Sequence, residues 1–281
     1  MELQKYWNMV RSCSTFSIVD NEFLQDITDE HHTTIDDEFI ISKQLAIKIY
    51  TFSLEHIKNS RSNTTQHPEL KILLDFAVLI NGELGLAWNL KKQNFLIHNA
   101  NDDIHINTLS VKLHRKAAVA WEYRKFLIRQ VGIIENEFTI LNDLAELHKQ
   151  NYYLWEYRQW LFQNYLPDDK KQTEIDFLIK YCESHPSDSS SFHCLSEYFK
   201  QTNQNFLAYS WISALCQKYY GPNGLYTEKS PPGYETLNLF RAKFRPSTSL
   251  DSTYFQEQQI LNRNTKYLYF PPKIFNSNHN L

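Results

Sequence analysis

Apolar residues recur along this chain in steps that place them on one side of a helix. Leu73 and Ile80, Ile106 and Leu113, Ile140 and Leu147 stand seven apart, as do Phe177 and Ser184. Residues seven apart share a helical face, so each pair marks a helix with an apolar stripe. Eight residues beyond each pair stands an aromatic residue: Trp88, Trp121, Trp155 and Phe192. Three residues further on come Lys91, Arg124, Arg158 and Leu195, and seven further on Phe95, Ile128, Phe162 and Phe199. Positions i, i+3 and i+7 again share one face. The unit is therefore helix, short turn, helix, and each unit exposes an apolar face that only a neighbouring unit covers.

The copies are visible letter by letter. Trp121-Glu122-Tyr123-Arg124-Lys125-Phe126-Leu127 nearly repeats as Trp155-Glu156-Tyr157-Arg158-Gln159-Trp160-Leu161. A third copy starts at Trp88, a fourth at Phe192 and a weak fifth at Asn238-Leu239-Phe240-Arg241. Successive anchors lie 33, 34, 37 and 46 residues apart. A period in that range predicts an all-α solenoid of helical hairpins.

Outside residues 69–245 the pattern is less regular. Residues 1–68 read as an N-terminal extension with a leading helix over 42–59, with Leu45, Ile49, Phe52 and His56 on one side. Residues 12–38, with the acidic run from Asp26 to Glu38 and the pair His31-His32, read as a loop or short helix. Ser60 to His67 is polar, and Pro68 suits the first position of the next helix. Pro222 to Gly233 reads as a loop. Residues 246–281 read as a C-terminal helix and an extended, aromatic and proline-bearing tail from Tyr267.

Composition narrows the class. A hydrophobic content of 42% with 15% aromatic residues marks a folded chain. Only 6 glycines disfavour glycine-rich phosphate cradles. A net charge of −3 leaves no overall electrostatic footprint for nucleic acid. No signal peptide and no apolar run of membrane-spanning length is read, and four cysteines without a C-x-x-C pair point to a reduced, cytoplasmic setting.

The third copy, Asn151-Tyr152-Tyr153-Leu154-Trp155-Glu156-Tyr157-Arg158-Gln159-Trp160-Leu161, resembles the N-Y-x-x-W-x-x-R-x-W-L repeat of protein prenyltransferase alpha subunits. The resemblance covers roughly residues 69 to 245. His185-Pro186-Ser187-Asp188-Ser189-Ser190-Ser191-Phe192-His193 and Ala87-Trp88-Asn89-Leu90-Lys91-Lys92 look like the geranylgeranyltransferase type III branch. The resemblance implies a right-handed α-α superhelix that cradles a Rab geranylgeranyltransferase-type beta subunit. The heterodimer would move a geranylgeranyl group from its diphosphate to the C-terminal cysteine of a protein. Zinc is expected in the beta subunit, with no cofactor in this chain, which alone would be inactive.

The same resemblance assigns roles one residue at a time. Lys116, five before Trp121, matches the lysine near the diphosphate. Ala117 and Ala118 depart from the family's Asn-Tyr, whereas Asn151 and Tyr152 match it. Tyr153 stands where some members carry histidine, and its phenol can still donate. Lys116 and Tyr153 are thus the catalytic candidates, and Lys116, Asn151, Tyr152 and Tyr153 the substrate-binding ones.

Against these stand plainer readings. Trp88, Trp121, Trp155 and Phe192 are expected to pack as structural anchors. Arg124 and Arg158 are expected to pair with carboxylates or helix carbonyls at the edge of the next unit; the alternative is that they meet the partner subunit, with Tyr123 and Tyr157. Lys116 has the reading of a solvated lysine. Cys182, His185, His193 and Cys194 are spaced C-x-x-H-x7-H-C, which fits no zinc module, and no metal site is assigned. No hydrolase, metalloprotease or phosphate-loop motif is present. The rival function is a non-enzymatic helical-repeat adaptor that binds a protein partner.

Overall fold

Among the described residues the predicted repeat positions are helical, except Phe95, which lies just past the end of its helix at Gln93. This computed structural model describes residues 3–25, 31–60, 69–96, 99–132, 136–220 and 234–244. The polar segment 61–68, the loop 222–233 and the C-terminal helix and tail expected over 246–281 lie outside the described residues. Among the described residues the protein is mostly helical, and its packing divides into two units, Met1–Gln172 and Thr173–Leu281.

In the first unit three hairpins follow one another: α4 (Leu70–Ile80) with α5 (Gly85–Gln93), α6 (Ala100–Leu113) with α7 (Ala118–Val131), and α8 (Glu137–Leu147) with α9 (Tyr152–Asn164). The first helices of the first two hairpins pack on each other, and the second helices pack in series, α5 on α7 and α7 on α9. Trp88, Trp121 and Trp155 are buried. Each of the first two closes its own turn: Trp88 Nε1 donates to the Gly82 carbonyl at 2.8 Å and Trp121 Nε1 to the Arg115 carbonyl at 3.3 Å. Each also meets the tyrosine two past the next anchor, with ring centroids 4.7 Å apart for Trp88 and Tyr123 and 5.4 Å for Trp121 and Tyr157. One aromatic side chain thus fixes both the turn and the stacking of the next hairpin, which is why it recurs with the period.

The predicted stripe is displaced in two helices. In α8 the buried positions are Glu137, Leu141, Leu144 and Ala145, which leaves Leu147 62% exposed. In α10 (Asp168–Ser184), which carries the division between the units, they include Ile175, Leu178 and Cys182, and Phe177 is only half-buried. Two positions seven apart fix only a helix face, and in both helices that face lies about one residue to the side of the buried one, where Leu141 and Leu144, or Ile175 and Leu178, meet the core.

The N-terminal region departs from the expected loop or short helix. It holds α1 (Leu3–Ser12), β1 (Thr15–Val19), the short α2 (Asn21–Gln25), β2 (His32–Ile35), β3 (Glu38–Ser42) and α3 (Lys43–Ser60). The strands form one sheet in the order β1-β3-β2, with β1 parallel and β2 antiparallel to β3. Asp36 and Asp37 take φ of 46° and 68°, so the β2–β3 hairpin turns on two left-handed residues. His32, read as part of a solvated loop, is buried in β2 against Tyr6 and Phe39. The helix predicted over 42–59 is α3. Its buried stripe runs Leu45, Ile49, Ser53, Ile57, with Phe52 and His56 on the flank. α3 packs on α4, and α1 packs on α4 and α6.

In the second unit α11 (Ser189–Gln201), α12 (Asn205–Tyr220) and α13 (Tyr234–Phe244) pack together. Asp188 caps α11 by accepting from the amides of Ser190 (3.1 Å) and Ser191 (3.2 Å). Phe192 is buried and meets Phe240 and Trp211. The weak fifth copy is helical, but Leu237, Phe240 and Phe244 are its buried positions and Asn238 is not. Among the described residues no helix is long and apolar enough to cross a membrane.

Candidate functional site

The basic residue three past each of the first two anchors enters a buried ionic centre. Lys91 Nζ donates to Asp75 and, at 2.5 Å, to Asp103. Asp75 also accepts from Lys71 (3.1 Å) and from the Trp7 indole of α1 (2.8 Å). Burial works against the Asp75 carboxylate, but the charges of Lys91 and Lys71 outweigh it and hold its pKa below the usual range. Burial likewise opposes the Lys91 ammonium, and Asp75 and Asp103 reverse that, leaving its pKa raised.

The second hairpin repeats the theme with a stronger geometry. Arg124 Nε and Nη2 donate to the two Glu137 oxygens at 2.6 and 2.7 Å, and Nη1 donates to Asn107 (3.0 Å) and Thr108 (2.9 Å). Tyr157 Oη donates to Glu137 at 2.7 Å. Burial pushes the Tyr157 phenol far up, with the Glu137 charge adding to it and Arg124 opposing. This fork-to-carboxylate pairing suits arginine and not lysine.

The predicted residues divide between the interior and the turns. Arg124, Tyr123, Tyr157 and Arg158 are buried inside the protein. The carboxylate pairing expected of Arg124 is present with Glu137, and these four side chains face the interior instead of a partner's surface. Arg158 lies over the Phe138 and Trp155 rings at 5.4 and 5.8 Å.

Lys116, Tyr152 and Tyr153 fall elsewhere, at the turns joining the two helices of each hairpin. Lys116 is exposed in the α6–α7 turn. Tyr152 opens α9, 55% exposed, with its ring 5.8 Å from that of Tyr153. Asn151 is the buried N-cap of α9, its side chain accepting from the Leu154 amide at 3.5 Å. The two turns are neighbours because His148 Nε2 bonds the Lys112 carbonyl at 2.7 Å. His114 makes the same stitch to the Leu79 carbonyl at 2.8 Å. Each histidine thus engages a last-turn carbonyl of the preceding hairpin's first helix, a group that has no partner within its own helix. Lys116, Tyr152 and Tyr153 therefore share one edge, apart from the buried centres.

Sequence reasoning did not single out Asp75, Asp103, Glu137, Trp7, His114 or His148. Some of them carry a signal. His114 and His148 each stand seven before a tryptophan, and Asp103 and Glu137 stand 12 and 13 after the basic residue. Cys182 donates to Ser191 Oγ at 3.4 Å, and His185 and Ser184 bond each other and the Tyr181 carbonyl. Among the described residues no group of three or more His, Cys, Asp or Glu is placed to hold a metal ion.

Comparison with known families corrects the resemblance drawn from the tryptophan repeat. The profile of a family described as the ECM9 middle domain matches residues 112–219, from the last turn of α6 almost to the end of α12. This stretch contains both sharp copies, at Trp121 and Trp155, and the family it matches is not the prenyltransferase alpha family. Tryptophan, tyrosine and arginine at these spacings are what a stacked hairpin needs for its own closure, so the motif follows the packing and not one activity. No curated protein matches the chain.

Proposed function

We propose that this chain is a helical-repeat scaffold that docks a protein partner on the turn edge of its hairpins, the array winding as a right-handed α-α superhelix. One observation carries the reading. The signature residues Trp88, Trp121, Arg124 and Tyr157 are engaged in closing and stacking hairpins, whereas Leu147 and Tyr152, at the two ends of the α8–α9 connection, are exposed. Two large apolar side chains exposed at the two ends of one turn, beside anchors that are themselves buried, suit a contact surface. Four free cysteines, all buried, support a reducing, cytoplasmic setting.

The test places a photo-crosslinking amino acid at Tyr152 and, as a control, at exposed Ile47 on α3. Cross-linking of one protein in cells from position 152 and not from 47 is the expected result; equal labelling from both overturns the reading. The transferase-subunit expectation derived from the resemblance now corrected, and it enters as an arm of the same experiment. If the captured complex moves a prenyl group from its diphosphate to a cysteine peptide, the scaffold reading gives way to a subunit of an enzyme.

A further inference from the structure

We infer that the turn edge of the second and third hairpins binds an acidic linear peptide bearing an aromatic or aliphatic side chain. This rests on the scaffold reading and states the partner's chemistry. Three cations stand on that edge: Arg115 and Lys116 in the α6–α7 turn, and Lys149 in the α8–α9 turn. All three are exposed, and none forms an ion pair with a described residue. Arg124 and Lys125 of the second hairpin are by contrast matched, Arg124 to Glu137 and Lys125 to Glu122 and Glu156.

The apolar component sits beside the charge. Leu147, 62% exposed, ends α8 two residues before Lys149, and Tyr152, 55% exposed, begins α9 three residues after it. The bond from His148 to the Lys112 carbonyl joins this turn to the one that carries Arg115 and Lys116. One turn thus carries a cation between two exposed apolar side chains and the turn bonded to it carries two more cations, which complements a peptide with carboxylates around one large apolar side chain.

The strip is also short. Exposed Glu83 lies in the preceding turn, and exposed Asp143 and Glu146 lie on α8 before Leu147. A nucleic-acid strand needs a cationic track of many phosphates, and the chain carries a net charge of −3. A short acidic peptide fits within these bounds.

The test uses the full chain and a fluorescein-labelled dodecapeptide of aspartate and glutamate with a central Trp-Leu pair, read by anisotropy. Reversing three surface charges (Arg115→Glu, Lys116→Glu, Lys149→Glu) is expected to weaken binding by about tenfold or more, the effect of three exposed pairs together. Leu147→Ser with Tyr152→Ser is expected to weaken it by roughly fivefold at unchanged salt dependence. All five positions are exposed, so circular dichroism of the variants should match the parent. Equal binding by parent and charge-reversed chain overturns the inference. So does equal or tighter binding, on the same residues, of a single-stranded oligonucleotide or an anionic vesicle. If the peptide fails while position 152 still cross-links one protein in cells, the acidic chemistry is wrong and the scaffold reading stands; if both fail, neither stands.

Discussion

At the scale of single residues, stability concentrates where two hairpins touch through few atoms. Gly82 is such a point: a Cβ there would lie 2.6 Å from the His114 Cβ. Gly82 is therefore a requirement of close approach, and its place in the turn disguises that. Gly82→Ala is expected to cost about 1–3 kcal/mol through overpacking, read as a lower urea midpoint. Glu137 is a second point, since it accepts from both Arg124 and Tyr157. Glu137→Ala leaves a buried guanidinium uncompensated and should cost about 3–5 kcal/mol. A double-mutant cycle with Arg124→Met should show strong coupling, because removing both charges removes the orphan; additive losses would refute the pairing.

The same contacts set the response to pH. The Asp75 pKa is lowered in the folded state, so its contribution is present above the ordinary aspartate value and is lost as pH falls through the folded one. Unfolding by acid should therefore set in below pH of about 4 and flatten in Asp75→Asn. The Tyr157 phenol is shifted the other way. Its folded pKa is raised, so stability is intact below the ordinary tyrosine value and falls as pH rises above about 10. Tyr157→Phe should blunt that alkaline loss while lowering stability at neutral pH, since the bond to Glu137 goes with the hydroxyl.

Elements behave as wholes, and α1 shows it. Its buried residues Leu3, Trp7 and Val10 recur at helical spacing, and Trp7 sends its indole to Asp75. The Trp7 ring is flanked by Arg11 at 4.6 Å and Lys71 at 4.7 Å, and Arg11 pairs with Asp102 at 2.6 Å. An element outside the repeat thereby completes the ionic centre of the first hairpin. Trp7→Phe keeps the apolar contact and removes the donor, so about 1.5–3 kcal/mol should be lost, as for a hydrogen bond to a charged group. A thermal scan that leaves the variant unchanged would remove α1 from this role. In the second unit the corresponding local test is Asp188→Ala, which removes the cap of α11 and should cost about 1 kcal/mol.

Element by element, legibility follows length and period. The hairpin helices were readable because their apolar stripes persist over several turns and return with the anchors. The strands were not. β2 has four residues and β1 and β3 five, too few to display alternation against a helical background. Their hairpin turns on Asp36-Asp37 and lacks the glycine that usually announces a two-residue turn. The turn edge was half readable: Lys116, Tyr152 and Tyr153 were singled out, while Leu147 was assigned to the buried stripe and Lys149 passed over.

For the first unit as a whole, nearest-neighbour stacking makes one aromatic matter to two hairpins. Trp121 closes the turn before α7 and meets Tyr157 of α9. Trp121→Leu should raise amide exchange throughout α6, α7 and α9 and leave the β1-β3-β2 sheet protected for longer, as expected of stability built from adjoining repeats. Uniform loss of protection in all elements at once would show that the unit melts as one body.

The sequence by itself determined the hairpins, their order and the anchors, because periodicity is a local property that neighbours in the chain write together. The tertiary structure alone decided which carboxylate each buried cation meets, that His114 and His148 stitch successive hairpins, and that Leu147 faces water. Those outcomes depend on groups from 12 to about 36 positions apart arriving at one point. Their identity is fixed by packing, since a one-residue rotation of a helix carries a side chain from core to solvent without altering the pattern from which the helix was read.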